Sequence, residues 1–285
     1  MVNIDEWTIT HAVLEAQAGC TDTRLQTVMT SLVRHLHDFA REVQLTESEW
    51  FEGIRFLTRA GHITDDKRQE FILLSDVLGL STLVTAQNNA KPAACTEATV
   101  FGPFFVEGAP RVELGADIAN GAKGASCVVS GQVRALDGSP IAGAVIDVWQ
   151  ADEDGFYDVQ RPEQPGPHAR AQLASGGDGR FHFRSILAHC YPIPHDGPVG
   201  DLLTALGRHP WRPAHLHFMI EAPGFERLIT HVFRRGDPYL DSDAVFGVRS
   251  TLIADWHRHQ PDDGGEPSYS LEYDFVLNPT RQAPQ

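Results

Sequence analysis

The hydrophobic pattern of this chain changes period once, and that change limits the fold more than any other feature. In TRLQTVMTSLVRHLHDFAREV (23–43), apolar side chains fall at Leu25, Val28, Met29, Leu32, Val33, Leu36, Phe39 and Val43. Steps of three and four residues place them on one stripe of an α-helix. His35 and His37 lie in this helix on nearly opposite sides and are expected to be solvated or interfacial. A second helical stretch, TESEWFEGIRFLTRAGH, opens with Thr46 and Glu49 as a capping box and closes at Gly61. A third helix is expected from after Thr64, through QEFILLSDVLG to STLVTAQNN. Pro92, Gly102 and Pro103 end the helical periodicity, which sets an expected domain boundary near residue 98.

From residue 126 the period is two. SCVVSGQVRAL (126–136) and IAGAVIDVWQA (141–151) are joined by the turn sequence DGSP. RFHFRSIL (180–187), HLHFMIE (215–221), RLITHVF (227–233) and LEYDFVL (271–277) are further strand candidates. Strands with Gly- and Pro-rich connections and no alternating helices imply a mainly β chain. The expectation is an antiparallel β-sandwich catalytic domain over 99–285, preceded by an α-helical domain over 1–98. The connections at 150–180 and 188–212 are long, and long ordered loops on a rigid sandwich are where function concentrates.

Charge and cysteine usage narrow the partners. A net charge of −15 over 285 residues argues against nucleic acid and anionic membrane surfaces. Four cysteines without a CxxC pair fit neither a disulfide framework nor a zinc knuckle. MVNIDEWTIT lacks the basic-then-apolar pattern of a signal peptide, and no apolar run reaches membrane-spanning length. A reducing, cytoplasmic compartment is the expected location.

RPAHLHF (212–218) carries the chemistry. On a strand, His215 and His217 project to one face while Leu216 and Phe218 take the other. Taken alone, the pair is two polar residues on a wet strand face more often than two metal ligands. The chain has five tyrosines, and two of them sit in unusual settings. Tyr157 follows VIDVWQA and the acidic turn DEDG, and Tyr191 opens a loop stiffened by Pro192 and Pro194. Singly, each is a half-buried ring with a hydrogen-bonded hydroxyl. Together, Tyr157, Tyr191, His215 and His217 offer two phenolates and two imidazoles. A phenolate is a hard anionic donor that must lose a proton near pH ~10 to bind, which suits a strongly acidic ion such as Fe3+. Zinc sites use His, Cys and carboxylate, and ferrous oxygenases use two His and a carboxylate.

In GAVIDVWQADEDGFYD, YPIPHDGPVGDLL, GRHPWRPAHLHF and GDPYLDSDAVFG, with TEATVFGPFF and the preceding helices, the chain resembles the intradiol ring-cleavage dioxygenases over nearly its whole length. The resemblance implies Fe3+ held by Tyr157, Tyr191, His215 and His217. Two tyrosinates and one hydroxide then balance three positive charges, so a buried site stays neutral. It further implies that Tyr191 swings off the metal and takes a substrate proton, and that Arg212 stabilises negative charge developing on the ring. Read without the family, Arg212 is an arginine reaching a surface carboxylate. The family also dimerises through its N-terminal helices, with an amphipathic lipid between subunits, so a homodimer is expected.

TVFGPFFVEGAP and ITHVF…GDPYLDSDAVFGV resemble the hydroxyquinol-cleaving branch more than the catechol-cleaving one, which commonly carries Gln at the position of His231. The implied substrate is hydroxyquinol, opened to 3-hydroxy-cis,cis-muconate or maleylacetate, with catechol and chlorocatechols as alternatives. Substrate-wall positions implied by the resemblance are Leu73, Asp76, Val100, Phe101, Gly102 and Pro103. Phe104, Ile193, Pro194, Arg212, His231 and Val245 complete the set. Asp76 is a candidate acceptor for a third ring hydroxyl, or simply a helix-surface carboxylate. DEDG (152–155) does not fit a calcium loop, and DPYLDSD (237–243) is expected to be a solvated acidic turn.

Two rival functions share parts of this pattern. His215, His217 and Glu221 mimic the metal core of a cupin-type oxygenase, without its surrounding glycines. GQVRALDGSPIAGAVIDVW has the style of a non-catalytic, transthyretin-like binding module, which has no use for four clustered donors.

Overall fold

The computed structural model describes residues 3–65, 68–161, 163–164, 166–261 and 265–280. Two compact units divide between Arg59 and Ala60, earlier than the change in hydrophobic period.

The first unit holds α1 (Ile9–Ala16), α2 (Thr23–Glu42) and most of α3 (Glu47–Ile63). The side chain of Asp22 caps α2 by accepting from the N–H groups of Arg24 and Leu25, each at 2.9 Å. The capping box of α3 is formed: Thr46 N–H donates to Glu49 Oε2 at 2.9 Å, and Glu49 N–H donates to Thr46 Oγ1 at 3.3 Å. Val33 is the buried residue of α2. Apart from the half-buried Met29, the rest of its stripe is uncovered, with Leu25, Leu36 and Phe39 each more than half exposed. His35 is exposed and His37 is half-buried against the Thr10 hydroxyl, as the periodicity requires.

In the second unit the helix expected after Thr64 is two helices, α4 (Glu70–Val77) and α5 (Leu80–Asn88). Gly79 stands between them at φ +76°, a left-handed conformation that ends a helix, and the two axes differ by 79°. The sandwich begins with β1 (Ser126–Ala135), β2 (Val145–Trp149), β3 (Arg170–Ala174) and β4 (Arg180–Ile186). The short β5 (Tyr191–Pro192), helix α6 (Pro198–Ala205) and β6 (Trp211–Arg212) come next. Then follow β7 (His215–Glu221), β8 (Leu228–Arg234), β9 (Ile253–Ala254), β10 (Trp256–His259), β11 (Ser268–Glu272) and β12 (Phe275–Leu277).

One sheet runs β10-β11-β1-β12 with β4 also on β1, and the other runs β3-β2-β7-β8-β9. The pairing is mixed rather than wholly antiparallel, because β1 is parallel to β11 and β12, and β8 is parallel to β9. LEYDFVL breaks in two at Tyr273–Asp274, where the Asp274 carboxylate takes the Gln132 N–H at 2.9 Å in place of a main-chain partner. Between the sheets lies one apolar core. Val129 and Val133 of β1 and Phe181 and Phe183 of β4 meet Ile146, Val148, Leu216, Phe218 and Ile220 of β2 and β7. At about 25 cal/mol per Å², burying side chains of this size is the largest favourable contribution to folding.

Candidate metal centre

Strand alternation decides which face carries chemistry. Leu216, Phe218 and Ile220 fill the core, so His215, His217 and Met219 take the outer face of β7. That face is not wet. Both histidines are buried beneath a second cluster that includes Trp149, Tyr157, Tyr191, Met219, Phe104 and Phe105. Strand register lays one rung across the sheet: Arg170 opposite Trp149, Trp149 opposite His217, and His217 opposite His231. The indole of Trp149 stacks on His217 with centroids 4.7 Å apart and 18° between planes. Tyr191 is delivered separately by β5, paired with Arg212 on β6.

Four donor atoms converge. Tyr157 Oη is 2.8 Å from His217 Nε2 and 2.9 Å from Tyr191 Oη. Tyr191 Oη is 3.4 Å from His215 Nε2, which is 3.2 Å from His217 Nε2. Donors sharing one ion through bonds of about 2 Å lie roughly 3 Å apart, so the cluster has the size of a coordination sphere. His215 Nδ1 donates to the Pro213 carbonyl at 2.6 Å, which leaves Nε2 with the lone pair turned inward. Burial, then the Arg212 guanidinium, push His215 down to about 3. His217 and His231 are likewise held well below the usual imidazole range, first by burial. Neutral imidazoles are the form that binds metal. Burial pushes the Tyr157 phenol well up, the neighbouring Tyr191 adds to this, and burial also raises Tyr191. A metal bound through both phenols would have to displace their protons, which calls for a strong Lewis acid.

Arg212 is buried and does not reach the surface. Its Nη1 donates toward His215 Nε2 at 3.2 Å, and its Nε donates to Asp243 Oδ1 at 3.1 Å. Burial opposes its charge, yet the Asp243 carboxylate holds its pKa above the ordinary arginine value. The expectation of a solvated acidic turn at 237–243 therefore fails for both ends of that loop. Asp237 is buried too, and its Oδ2 accepts the Ala214 N–H at 3.0 Å, bracing the entry to β7. Sequence inspection missed both because acidic loops near Gly and Pro are ordinarily surface turns. The spacing of Asp243 from Arg212 carries no signal in one dimension.

A cavity of about 840 Å3 opens beside Tyr191. Leu73, Pro103, Phe104, Ile193 and Pro194 line it. Phe101 does not: it rests edge-on against Trp149 at 6.0 Å and tilted against Phe105 at 4.8 Å. Gly102 lies so close to His217 that a Cβ there would stand 3.2 Å from Cε1. Val100 is buried. Asp76 is buried rather than on a helix surface, with its carboxyl pKa raised by burial against the opposing pull of Ser81 and Arg212. Val245 is buried on the Asp243 loop, its carbonyl accepting from Thr82 Oγ1 at 3.0 Å. His231 is fully buried against both histidines, and neither ring nitrogen has a hydrogen-bond partner.

The cupin rival loses ground on the same geometry. Glu221, the carboxylate of the cupin pattern, has a side chain 52% exposed and faces Arg227 at 3.6 Å. DEDG is a turn in which Asp152 accepts from the N–H groups of Asp154 and Phe156 and pairs with Arg161 at 2.7 Å, leaving no empty oxygen cage.

Residues 100–279 match the family described as "Dioxygenase", and residues 22–96 match "Catechol dioxygenase N terminus". The 6-chlorohydroxyquinol 1,2-dioxygenase of Cupriavidus pinatubonensis is 63% identical over 98% of this chain and 100% of its own length. The hydroxyquinol 1,2-dioxygenase of Nocardioides simplex is 52% identical, covering 96% of each. A crystal structure of hydroxyquinol 1,2-dioxygenase from Pseudomonas putida superposes with a TM-score of 0.90 at 48% identity, over 96% of this chain and 98% of that one.

Proposed function

Since the chain belongs to the intradiol ring-cleavage dioxygenases, a family that implies a metal cofactor, we propose that it opens hydroxyquinol between its adjacent hydroxyls. In this reading Tyr157, Tyr191, His215 and His217 hold Fe3+. The observation that carries the proposal is the convergence of two phenol oxygens and two imidazole nitrogens, 2.8–3.4 Å apart in a buried cluster. The chemistry a ferric ion supplies when bound is acidification of the ring hydroxyls and activation of a ring carbon toward O2.

The remaining work belongs to side chains. Tyr191 lines the cavity beside the cluster, and in this reading its phenol oxygen would take one proton from an arriving diol. Arg212 presents a fixed cation where negative charge develops on the ring, and Asp243 keeps it oriented. Leu73, Pro103, Phe104, Ile193 and Pro194 exclude water around the ring. We assign Asp76 to the third hydroxyl of hydroxyquinol and His231, Val100, Gly102 and Val245 to the inner wall. Phe101 supports that wall from behind, through Trp149.

The uncovered stripe of α2 supports a homodimer formed through the N-terminal helices, with a lipid chain in the apolar seam. All four cysteines are free, which fits a reducing cytoplasm, and no single described helix is long and apolar enough to cross a membrane.

Oxygen uptake by iron-loaded protein tests the substrate, with hydroxyquinol and catechol in parallel and an enzyme-free control for autoxidation. Faster enzyme-dependent uptake with hydroxyquinol supports the assignment. Preference for catechol discards hydroxyquinol while keeping the chemistry. A chlorinated hydroxyquinol is a second reading, favoured by the name of the 63%-identical relative, and belongs in the same assay.

A further inference from the structure

Two buried arginine–carboxylate pairs flank the donor cluster, and only Arg212–Asp243 touches it. The other is Arg170 with Asp158, both nearly inaccessible to water. Arg170 stands on β3 at the end of the rung that runs through Trp149 and His217. Its Nε donates to Asp158 Oδ2 at 2.8 Å and its Nη2 to Asp158 Oδ1 at 2.6 Å, a two-pronged pair. The same Nη2 also donates to the carbonyl of Phe104 at 2.7 Å. Both partners bear on Tyr157. Asp158 is the next residue in the chain, and the Phe104 ring lies stacked on the Tyr157 ring at 4.4 Å and 21°. The backbone N–H of Tyr157 is held in turn by Gln160 Oε1 at 2.9 Å. One guanidinium thus fixes the main chain beside the phenol and the aromatic ring covering it.

Tyr191 is held differently. It sits on a strand of two residues and borders the cavity, whereas Tyr157 does not line it. The rings meet edge to face at 5.7 Å, so motion of one need not carry the other.

We propose that Arg170 is a positioning residue that, through Asp158 and Phe104, fixes Tyr157 as the tyrosine that stays on the metal and leaves Tyr191 as the one that moves. This inference rests on the ferric reading of the site. Arg170 touches neither substrate nor reacting atoms. Its role is to supply rigidity on one side of an asymmetric donor set, and outer partners of metal ligands commonly change affinity or activity about 10–100-fold when removed.

The test uses the full-length iron-loaded protein. Arg170→Met with Asp158→Asn removes both charges, so no buried ion is left unpaired. Arg170→Lys keeps the charge but cannot hold Asp158 and the Phe104 carbonyl with one fork. Arg235→Met, an exposed residue paired with Asp255, serves as a remote control. Three readouts apply: the tyrosinate-to-iron visible band with and without substrate under argon, iron release to a chelator, and melting of the metal-free protein.

The expected result is a wild-type-like melt for the metal-free Arg170→Lys variant and for the control. In Arg170→Lys and the double variant, iron release is about 10–100-fold faster. The band that persists after anaerobic substrate addition is shifted or weakened in both, because that band belongs to Tyr157. Wild-type release rates and an unchanged residual band in both variants overturn the positioning role while leaving the ferric site standing. A wild-type protein that takes up iron without any visible band overturns the ferric site, and the inference with it.

Discussion

On one face of β7, Leu216, Phe218 and Ile220 join an apolar core in which each group is content without a partner. On the other, His215 and His217 are buried just as deeply, and polar atoms there go unpaired: His217 Nδ1, both nitrogens of His231 and the Trp149 indole nitrogen. Every second residue of one strand serves stability, while His215 and His217 between them hold polar groups that folding alone would not keep dry. An unpaired buried polar group costs roughly 1–3 kcal/mol. The outer face is therefore a store of unfavourable free energy. The inner face stabilises the sheet that holds it in place.

The sharpest way to break this contrast is His217→Leu. It is expected to lower iron-dependent turnover by more than about 100-fold, beyond the effect of losing an outer partner, while raising the melting temperature of the metal-free protein. Oxygen uptake and calorimetry on the same sample check both, and a lower melting temperature would mean that His217 is satisfied as it stands. Phe218→Ala, one residue along, should do the opposite. It should cost about 3–5 kcal/mol of stability in denaturant titration, with the visible spectrum of the surviving folded protein unchanged. Asp243→Asn leaves the Arg212 guanidinium buried without its counter-charge. A loss of about 3 kcal/mol is expected, together with a fall in kcat larger than the change in KM, read from steady-state kinetics.

The smallest effect, counted per residue, is a pH dependence of the metal-free protein. Folding keeps His215, His217 and His231 neutral, with His215 down at about 3, whereas an unfolded chain protonates them near pH ~6.5. Below that pH the unfolded state binds more protons, so stability is complete above pH ~6.5 and falls as acid is added. The expected slope is about 1.4 kcal/mol per pH unit for each histidine that stays neutral. Urea midpoints measured between pH 5 and 7 on iron-free protein would show it. A flat profile would mean that water reaches the outer face.

Much of this arrangement is legible in the sequence, and the reasons differ by region. The α2 stripe and the Thr46–Glu49 box are local, so spacing alone reveals them. HLHFMIE is also local: period two places both histidines on one face, and β7 spans those same residues. Tyr157 and Tyr191 entered through rarity and loop context, and through resemblance. Gly79 was passed over because one glycine inside a helical pattern is ordinarily tolerated, and only its left-handed φ shows that it divides α4 from α5. Asp243, Asp237 and the Arg170–Asp158 pair were invisible, since an ion pair assembled across strands leaves no periodic trace. Parallel pairing of β1 with β11 and β12 was hidden likewise, because it joins segments far apart along the chain.

The alternation in β7 has a consequence for how the molecule assembles. Its pairing sets Trp149 opposite His217 on one side and His231 opposite His217 on the other. A slip of a single residue would turn the imidazoles into the oily interior and push Leu216 and Phe218 among the phenols. A misaligned strand therefore fails two independent examinations at once, because it loses its oily packing and parts the imidazoles from the phenols. Such a chain has little chance of lingering as a well-packed impostor.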